Sequence, residues 1–222
     1  MGLSIYKTGI IQSTGNTIPD NILLNSATLT GKSGSTVYNN ITTGTHTGTS
    51  GWNEAYWPCS ISAVGHPLSG KTLTISLDFM CTDISKIGAM YFGFGMWNAS
   101  GSRIGDTNIA VSSYTVINGT RANNTWCRMY NTFTVATSWS TTDGATYRLQ
   151  IKTAAGAEGA TMYHKRIKIE QSSYPSMWTI SNADVSNINI NKGFIENLSF
   201  NNPVIPAKVG TDYIQAMEII EI

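Results

Sequence analysis

Charged residues are scarce in this sequence. Only 12% of its 222 residues are Asp, Glu, Lys or Arg, and the formal net charge is +1, whereas an average soluble protein has roughly 25% charged residues. This balance gives no electrostatic basis for binding nucleic acid or an anionic membrane. Ser, Thr, Asn and Gly replace the charges, but 41% of the chain is hydrophobic and 10% is aromatic. The composition is therefore that of a folded protein and not of a disordered one.

Membrane and targeting segments are missing as well. No run of about 18 apolar residues predicts a spanning helix. The first residues, MGLSIYKTG, contain neither a basic start nor an apolar stretch, so no secretory signal is visible. The three cysteines are odd in number and none lies at metal-ligand spacing, which predicts small buried thiols.

Motifs for catalysis are also absent. The sequence contains no HExxH zinc motif and no GxSxG nucleophile elbow. Glycosidases need two carboxylates about 5–10 Å apart, and a chain with 13 acidic residues neither excludes nor favours such a pair. We therefore predict no catalytic residues and no enzymatic activity.

Alternating apolar residues are the main positive signal. In Thr72–Phe79 and Tyr147–Ile151 every second residue is apolar, as in half-buried strands of an antiparallel sheet. Turn sequences such as Asn118-Gly119 and Asp143-Gly144 separate these strands, and no window keeps a helical apolar stripe. The pattern predicts an all-β fold of the sandwich or jelly-roll type. Residues 30–50 are rich in Gly and Thr, which predicts one strand with long polar loops.

Three segments together resemble one family. Asn21–Ser26 (NILLNS) is similar to its opening strand, Thr125–Val135 (TWCRMYNTFTV) to an internal strand, and Arg166–Ser181 (RIKIEQSSYPSMWTIS) to its closing strand and turn. In this order they resemble the carbohydrate-binding-module-like jelly rolls of tailed-phage structural proteins. The resemblance implies a jelly roll at residues 20–184, flanked by strand extensions at 1–19 and 185–222.

Aromatic residues opposite the apolar faces are the candidate glycan contacts. In 91–97 and 126–135, Phe92, Phe94, Cys127 and Met129 define the apolar faces, so their neighbours are expected to point outward. Exposed rings beside polar groups suit the stacking of sugar rings. The alternative, that these residues pack inside the protein, stays open. The candidate contacts, including one tryptophan from a loop-like segment, are Tyr91, Trp97, Trp126, Arg128, Tyr130 and Trp139.

The resemblance also implies a function. It points to a non-enzymatic virion protein of a tailed phage, made in the host bacterial cytoplasm and built into a fibre or tail appendage for adhesion to host-surface glycan. One alternative is a capsid-attached head fibre or decoration protein, and another is a carbohydrate-binding module of a bacterial glycan-degrading system. Because related modules commonly hold structural calcium, calcium is a candidate cofactor. Asp106–Asn108 is a candidate contributor, with ordinary turn capping as the alternative.

Apolar strand-like segments at both termini predict self-association. Leu3–Gln12, Ile188–Phe200 and Tyr213–Ile222 lie outside the segments that resemble the jelly roll, and unpaired apolar strands need a partner. We expect a homo-oligomer in contact with other virion proteins. The number three is chosen by analogy with phage fibres.

Overall fold

The structure, a computed structural model, describes residues 18–26 and 43–185. It also describes the backbone of four further strands at residues 3–5, 11–13, 29–33 and 36–41. The chain divides into two compact units, Ile18–Val185 and a smaller unit drawn from Met1–Thr17 and Ser186–Ile222. In the smaller unit the described part is a short antiparallel hairpin. The predicted association segments Ile188–Phe200 and Tyr213–Ile222 lie outside the described residues.

The described residues are almost entirely β-structure, with one helical turn, α1 (Asn182–Val185), and two short 3-10 turns. In chain order the strands are β1 (Leu3–Ile5), β2 (Ile11–Ser13), β3 (Leu29–Ser33), β4 (Thr36–Ile41), β5 (Gly44–Thr47), β6 (Asn53–Ser62), β7 (Thr72–Cys81), β8 (Met90–Trp97), β9 (Arg103–Thr107), β10 (Thr115–Gly119), β11 (Cys127–Thr134), β12 (Thr146–Thr153) and β13 (Thr161–Glu170).

Two antiparallel sheets form the larger unit. One has six strands in the order β4-β3-β6-β12-β8-β9, and the other has five in the order β10-β11-β7-β13-β5. The all-β jelly-roll sandwich predicted from the sequence is thereby confirmed. The Gly/Thr-rich stretch differs from its prediction, since it contributes three strands (β3, β4 and β5) instead of one.

Alternation along the strands builds the core. The apolar residues at the inward positions of β7, β8 and β12 point between the sheets, where they are almost completely buried. Aromatic pairs span the gap, as in the edge-to-face contact of Phe79 with Phe92, whose ring centroids are 6.1 Å apart. The opposite residues of each strand form the two outer faces of the sandwich, which we call the six-strand face and the five-strand face.

The closing strand β13 holds the segment that follows it. A bulge at Arg166, whose φ is 47°, leaves Lys168 and Glu170 on the five-strand face. Their charged groups lie 3.1 Å apart with no exposed side-chain surface. Glu170 accepts hydrogen bonds from the Ser176 backbone N–H (2.7 Å) and hydroxyl (2.5 Å), and Lys168 donates to the Met177 carbonyl (3.1 Å). The polar positions of the closing motif therefore anchor the following turn.

The predicted opening strand at Asn21–Ser26 is not a regular strand. It makes one isolated bridge, Leu23 with Cys59, and backbone hydrogen bonds to both sheets, as from Ile22 N–H to the Ile169 carbonyl (2.8 Å) and from Leu24 N–H to the Pro58 carbonyl (3.0 Å). The Asn21 side chain adds to these bonds. Its amide donates to the carbonyls of Ile167 (3.0 Å) and Thr179 (2.9 Å), and its oxygen accepts from the N–H of Ile169 (3.0 Å). This buried amide joins the start of the jelly roll to its last strand.

Candidate functional site

The six-strand face is unusually polar at its centre. On β12 the inward residues Tyr147, Leu149 and Ile151 are fully buried in the core, and the outward residues between them are hydrophilic. The strand register places outward residues of β6 and β8 beside them. The outward residues at the centre of this face are Glu54, Tyr56, Tyr91, Gly93, Gly95, Trp97, Arg148, Gln150 and Lys152.

Two glycines of β8 let side chains lie flat on this face. A Cβ at Gly95 would come within 2.9 Å of the Trp97 ring and 3.0 Å of Gln150 Nε2. A Cβ at Gly93 would meet the Thr107 carbonyl oxygen at 2.4 Å. Both positions therefore require the absence of a side chain for close packing.

An exposed tryptophan packed against a half-buried tyrosine lies at one end of the face. Trp52, which directly precedes β6, has 60% of its surface exposed. Its ring centroid lies 5.6 Å from that of Tyr91, with the planes tilted by 39°. Lys152 Nζ lies 5.8 Å from the Trp52 centroid, a cation–π distance. This corner presents a large ring face to solvent, beside a charged group.

Four charged side chains converge over the middle of the sheet. Lys152 Nζ lies 2.5 Å from Asp106 Oδ2 and 3.4 Å from Glu54 Oε1. Arg103 Nη1 lies 3.2 Å from each of the same two carboxylates. Since Glu54 is on β6 and Asp106 on β9, this network bridges the sheet across β12 and β8. The Tyr56 hydroxyl also donates to Glu54.

Gln150 occupies an outward position of β12 on the same face, but the groups around it bury it completely. Neither its Nε2 nor its Oε1 has a hydrogen-bond partner among the described residues. Leaving such a group unpaired costs about 1–3 kcal/mol, so an amide in this state is a candidate for interaction with a bound molecule.

Trp97 and Arg148 form a stacked pair at the other end of the face. The guanidinium carbon of Arg148 lies 4.9 Å from the Trp97 ring centroid, and Tyr56 contacts the same ring edge-to-face at 5.1 Å. Arg148 Nε donates to Thr146 Oγ1 at 3.3 Å. Burial lowers the pKa of the Arg148 guanidinium.

The six residues proposed from the sequence do not form one site. Tyr91 and Trp97 lie on the six-strand face, whereas Trp126, Arg128 and Tyr130 lie on or beside β11 in the five-stranded sheet. Trp97 does point away from the core, as the alternation along the strand predicted. It is nevertheless only 3% exposed, because Arg148 and Tyr56 cover it. Trp97 therefore cannot offer a free ring face, contrary to the expectation.

Trp139 is a second correction. The loop-like sequence around it predicted exposure, yet it is 9% exposed and belongs to the core. Its ring stacks on His66 with centroids 5.6 Å apart. His66 is held in turn by the Tyr147 hydroxyl (2.6 Å) and the Ala136 carbonyl (2.8 Å). This loop packs inward through a buried polar contact that leaves no alternating pattern in the sequence.

On the five-strand face Trp126 and Arg128 are engaged within the protein. Lys165 Nζ lies 4.2 Å from the Trp126 ring centroid. Arg128 donates to Asp78 (3.3 Å), Ser76 (2.8 Å) and the Arg166 carbonyl (2.7 Å). Burial lowers the pKa of Arg128, and Asp78 opposes that shift. These contacts hold the β13 bulge against β7 and β11, so Arg128 has a structural role.

The sequence-based selection missed most of the six-strand face. It did not single out Trp52, Glu54, Tyr56, Arg148, Gln150 or Lys152. Two features of the sequence could have indicated this face. One is the set of polar residues, Arg148, Gln150 and Lys152, that alternates with Tyr147, Leu149 and Ile151, and the other is Trp52, which follows Gly51 at the start of a strand. The predicted contacts come from segments dense in aromatic residues, and β6 and β12 are therefore not among them.

The described part of the chain shows neither a metal centre nor a membrane-spanning helix. Within it, no group of three or more His, Cys, Asp or Glu side chains could hold a metal ion. Asp106, a candidate calcium contributor, is paired with Lys152 and Arg103, and calcium remains a prediction. No helix in residues 18–26 or 43–185 is long and apolar enough to cross a membrane.

Similar proteins were found among solved structures only. No protein-family model matches the sequence, and no curated protein matches it. The tripod from the baseplate of bacteriophage Tuc2009 is similar over 75% of this chain and 60% of that chain, with 20% identity and a TM-score of 0.46. A family 30 carbohydrate-binding module is similar over 82% and 84%, with 14% identity and a TM-score of 0.42.

A third similar structure is a xylan-binding domain from Paenibacillus barcinonensis. The likeness covers 71% of this chain and 95% of that domain, with 11% identity and a TM-score of 0.36. A bacteriophage baseplate component and carbohydrate-binding modules, the two kinds of protein named by the sequence resemblance, are thus both among the similar structures. This chain spans about three-fifths of the length of the phage chain.

Proposed function

We propose that this protein is a non-enzymatic structural component of a tailed-phage virion, and that its jelly roll binds glycan on the six-strand face. The observation that carries the binding proposal is the exposed Trp52 ring against Tyr91, beside the ion-pair network and Gln150, whose amide has no partner among the described residues. An aromatic plane next to fixed hydrogen-bonding groups matches the apolar and hydroxylated sides of a sugar ring. Within the virion we place it in a fibre or tail appendage, used in adhesion to the host surface.

The pair of carboxylates on this face does not favour hydrolysis. Glu54 and Asp106 both contact Lys152 and Arg103, so they lie close enough together for glycosidase chemistry. A glycosidase, however, needs one carboxyl group that keeps a proton for the leaving group. Here both carboxylates are instead engaged in ion pairs with the same two cations, Lys152 and Arg103. This arrangement supports a binding role for the pair.

Trp52→Ala should weaken glycan binding while leaving the fold intact. Loss of one stacked ring removes roughly 0.5–1.5 kcal/mol, a several-fold loss of affinity. Because Trp52 is 60% exposed, its truncation should change the melting temperature little. The measurement is retardation of the purified chain in gels that contain xylan, β-glucan, galactomannan, polygalacturonate, alginate or hyaluronate.

Trp126→Ala is the matched control, because it removes a tryptophan from the opposite face. We expect it to leave retardation unchanged. If Trp126→Ala weakens binding and Trp52→Ala does not, the binding site lies on the five-strand face, where the sequence first placed it. If no polysaccharide retards the wild-type chain, the proposed glycan binding is wrong.

The oligomeric state is a separate proposal. We expect a homotrimer whose subunits associate through the terminal segments outside the jelly roll, and deletion of residues 186–222 should yield smaller particles. Light scattering of the full-length and shortened chains measures this directly. A full-length chain that is monomeric at micromolar concentration would contradict it, as would a shortened chain of unchanged oligomeric state.

A further inference from the structure

We propose that the six-strand face selects sugars that carry a carboxylate, and that Arg148 binds this carboxylate. The inference rests on the proposed glycan binding by the same face and names the class of ligand. Three features support it: the pairing of the charges on the face, the position of Arg148 over the Trp97 ring, and the polar groups beside Arg148.

Arg148 differs from the other described cations at the centre of this face in its pairing. Lys152 and Arg103 each contact both Glu54 and Asp106. These two positive and two negative charges cancel. Arg148 has no carboxylate within ion-pair distance among the described residues, and its side chain donates one described hydrogen bond, from Nε to Thr146. Among the described residues at the centre of the face, Arg148 therefore carries a positive charge that the ion-pair network does not neutralise.

The terminal N–H groups of Arg148 have no hydrogen-bond partner among the described residues. The guanidinium carbon lies 4.9 Å from the Trp97 ring centroid, and the one described hydrogen bond of the side chain comes from Nε. Tyr56 packs against Trp97 from the side, which fixes the ring in place. A guanidinium held in this way has lost much of its conformational freedom before a ligand arrives. Its planar fork matches a carboxylate through two parallel hydrogen bonds.

The surroundings of Arg148 strengthen the attraction to an anion. Burial lowers the pKa of Arg148 because water is partly removed without a compensating negative charge. A ligand carboxylate would supply that charge. Two residues along β12, the buried Gln150 amide is also unpartnered among the described residues. This part of the face thus carries both charge and hydrogen-bonding capacity that no described residue satisfies.

The test compares each uronate polymer with its own carboxyl-reduced form, in which the carboxylate has become a primary alcohol. The probes are polygalacturonate, alginate and hyaluronate, and calorimetry or gel retardation gives the affinities. We expect at least one uronate polymer to bind about tenfold or more tightly than its reduced form, as for a charge-assisted hydrogen bond. Added salt should reduce that preference.

Arg148→Gln should bring the affinities for a uronate polymer and its carboxyl-reduced form to within about twofold of each other. Arg148→Lys should retain part of the preference, because it keeps the positive charge but cannot form two parallel hydrogen bonds to a carboxylate. Lys165→Gln is the matched control. It removes one positive charge from the five-strand face, where Lys165 stacks on Trp126, and should leave the preference unchanged. Unaltered thermal melting of each variant excludes misfolding as the cause.

Four outcomes would overturn the inference. If uronate polymers and their reduced forms bind equally, or if only neutral polysaccharides bind, glycan binding stands and the selection of carboxylates is wrong. If Lys165→Gln abolishes the preference as fully as Arg148→Gln, the preference reflects overall charge and not Arg148. If none of the polysaccharides binds, the proposed function itself fails.

Discussion

Glu170→Gln should destabilise the jelly roll by roughly 3–5 kcal/mol, the usual cost of leaving one member of a buried ion pair without its partner. Lys168 and Glu170 have no exposed side-chain surface and their charged groups are 3.1 Å apart. Burial already lowers the pKa of Lys168, and Glu170 is the main group that opposes this shift. Without Glu170 the ammonium group would be buried unpaired.

Denaturant unfolding of the wild type and the variant measures this effect. Adding Lys168→Met to Glu170→Gln should recover a large part of the stability, because the second substitution removes the uncompensated charge. Lys86→Met serves as the surface control. Lys86 lies 3.9 Å from Asp83 with both side chains partly exposed, so its loss should cost at most about 1 kcal/mol. A Glu170→Gln variant as stable as this control would show that the closing motif does not depend on the ion pair.

The parts of the fold that could be predicted are those set by local pattern. Alternation in Thr72–Phe79 and Tyr147–Ile151 identified β7 and β12, and Glu170 is the last residue of β13 as expected. The motif around Lys168 and Glu170 was readable because its polar residues interact with a turn only 6–9 residues away.

The candidate site depended on long-range pairing and could not be predicted in the same way. Parity separates inward from outward residues, but it does not say which sheet a strand joins. The sequence prediction assigns Trp97 and Trp126 to one surface. They lie on β8 and directly before β11, however, and these strands belong to different sheets. The charged network likewise joins Glu54 to Asp106 across two intervening strands. Only the strand order brings these residues together.

His164 should make the protein sensitive to mild acid. It lies on β13 and is fully buried between the sheets, in edge-to-face contact with Trp57 at 5.6 Å and Phe92 at 5.7 Å. Neither ring nitrogen has a hydrogen-bond partner among the described residues. Burial, with a smaller contribution from nearby His46, lowers the pKa of His164 from 6.5 to about 3.

The direction of the pH effect follows from this shift. Because the folded protein holds His164 neutral, the unfolded chain binds a proton more readily below pH 6.5, the pKa of an unperturbed histidine. Stability is therefore full above that pH and falls as the pH decreases from 6.5 toward 3. Between pH 7 and pH 5 this one residue should cost about 2 kcal/mol.

Urea unfolding at pH 7, 6 and 5 tests this expectation with His164→Leu, which keeps an apolar side chain in the core and removes the titrating ring. The variant should lose about 2 kcal/mol less stability than the wild type over this range. His46→Gln is the matched control. Burial lowers the pKa of His46, but its backbone hydrogen bond to Asn53 opposes the shift, so this variant should keep most of the wild-type pH dependence. If the wild type and His164→Leu lose the same stability between pH 7 and pH 5, His164 is not the acid-sensitive group.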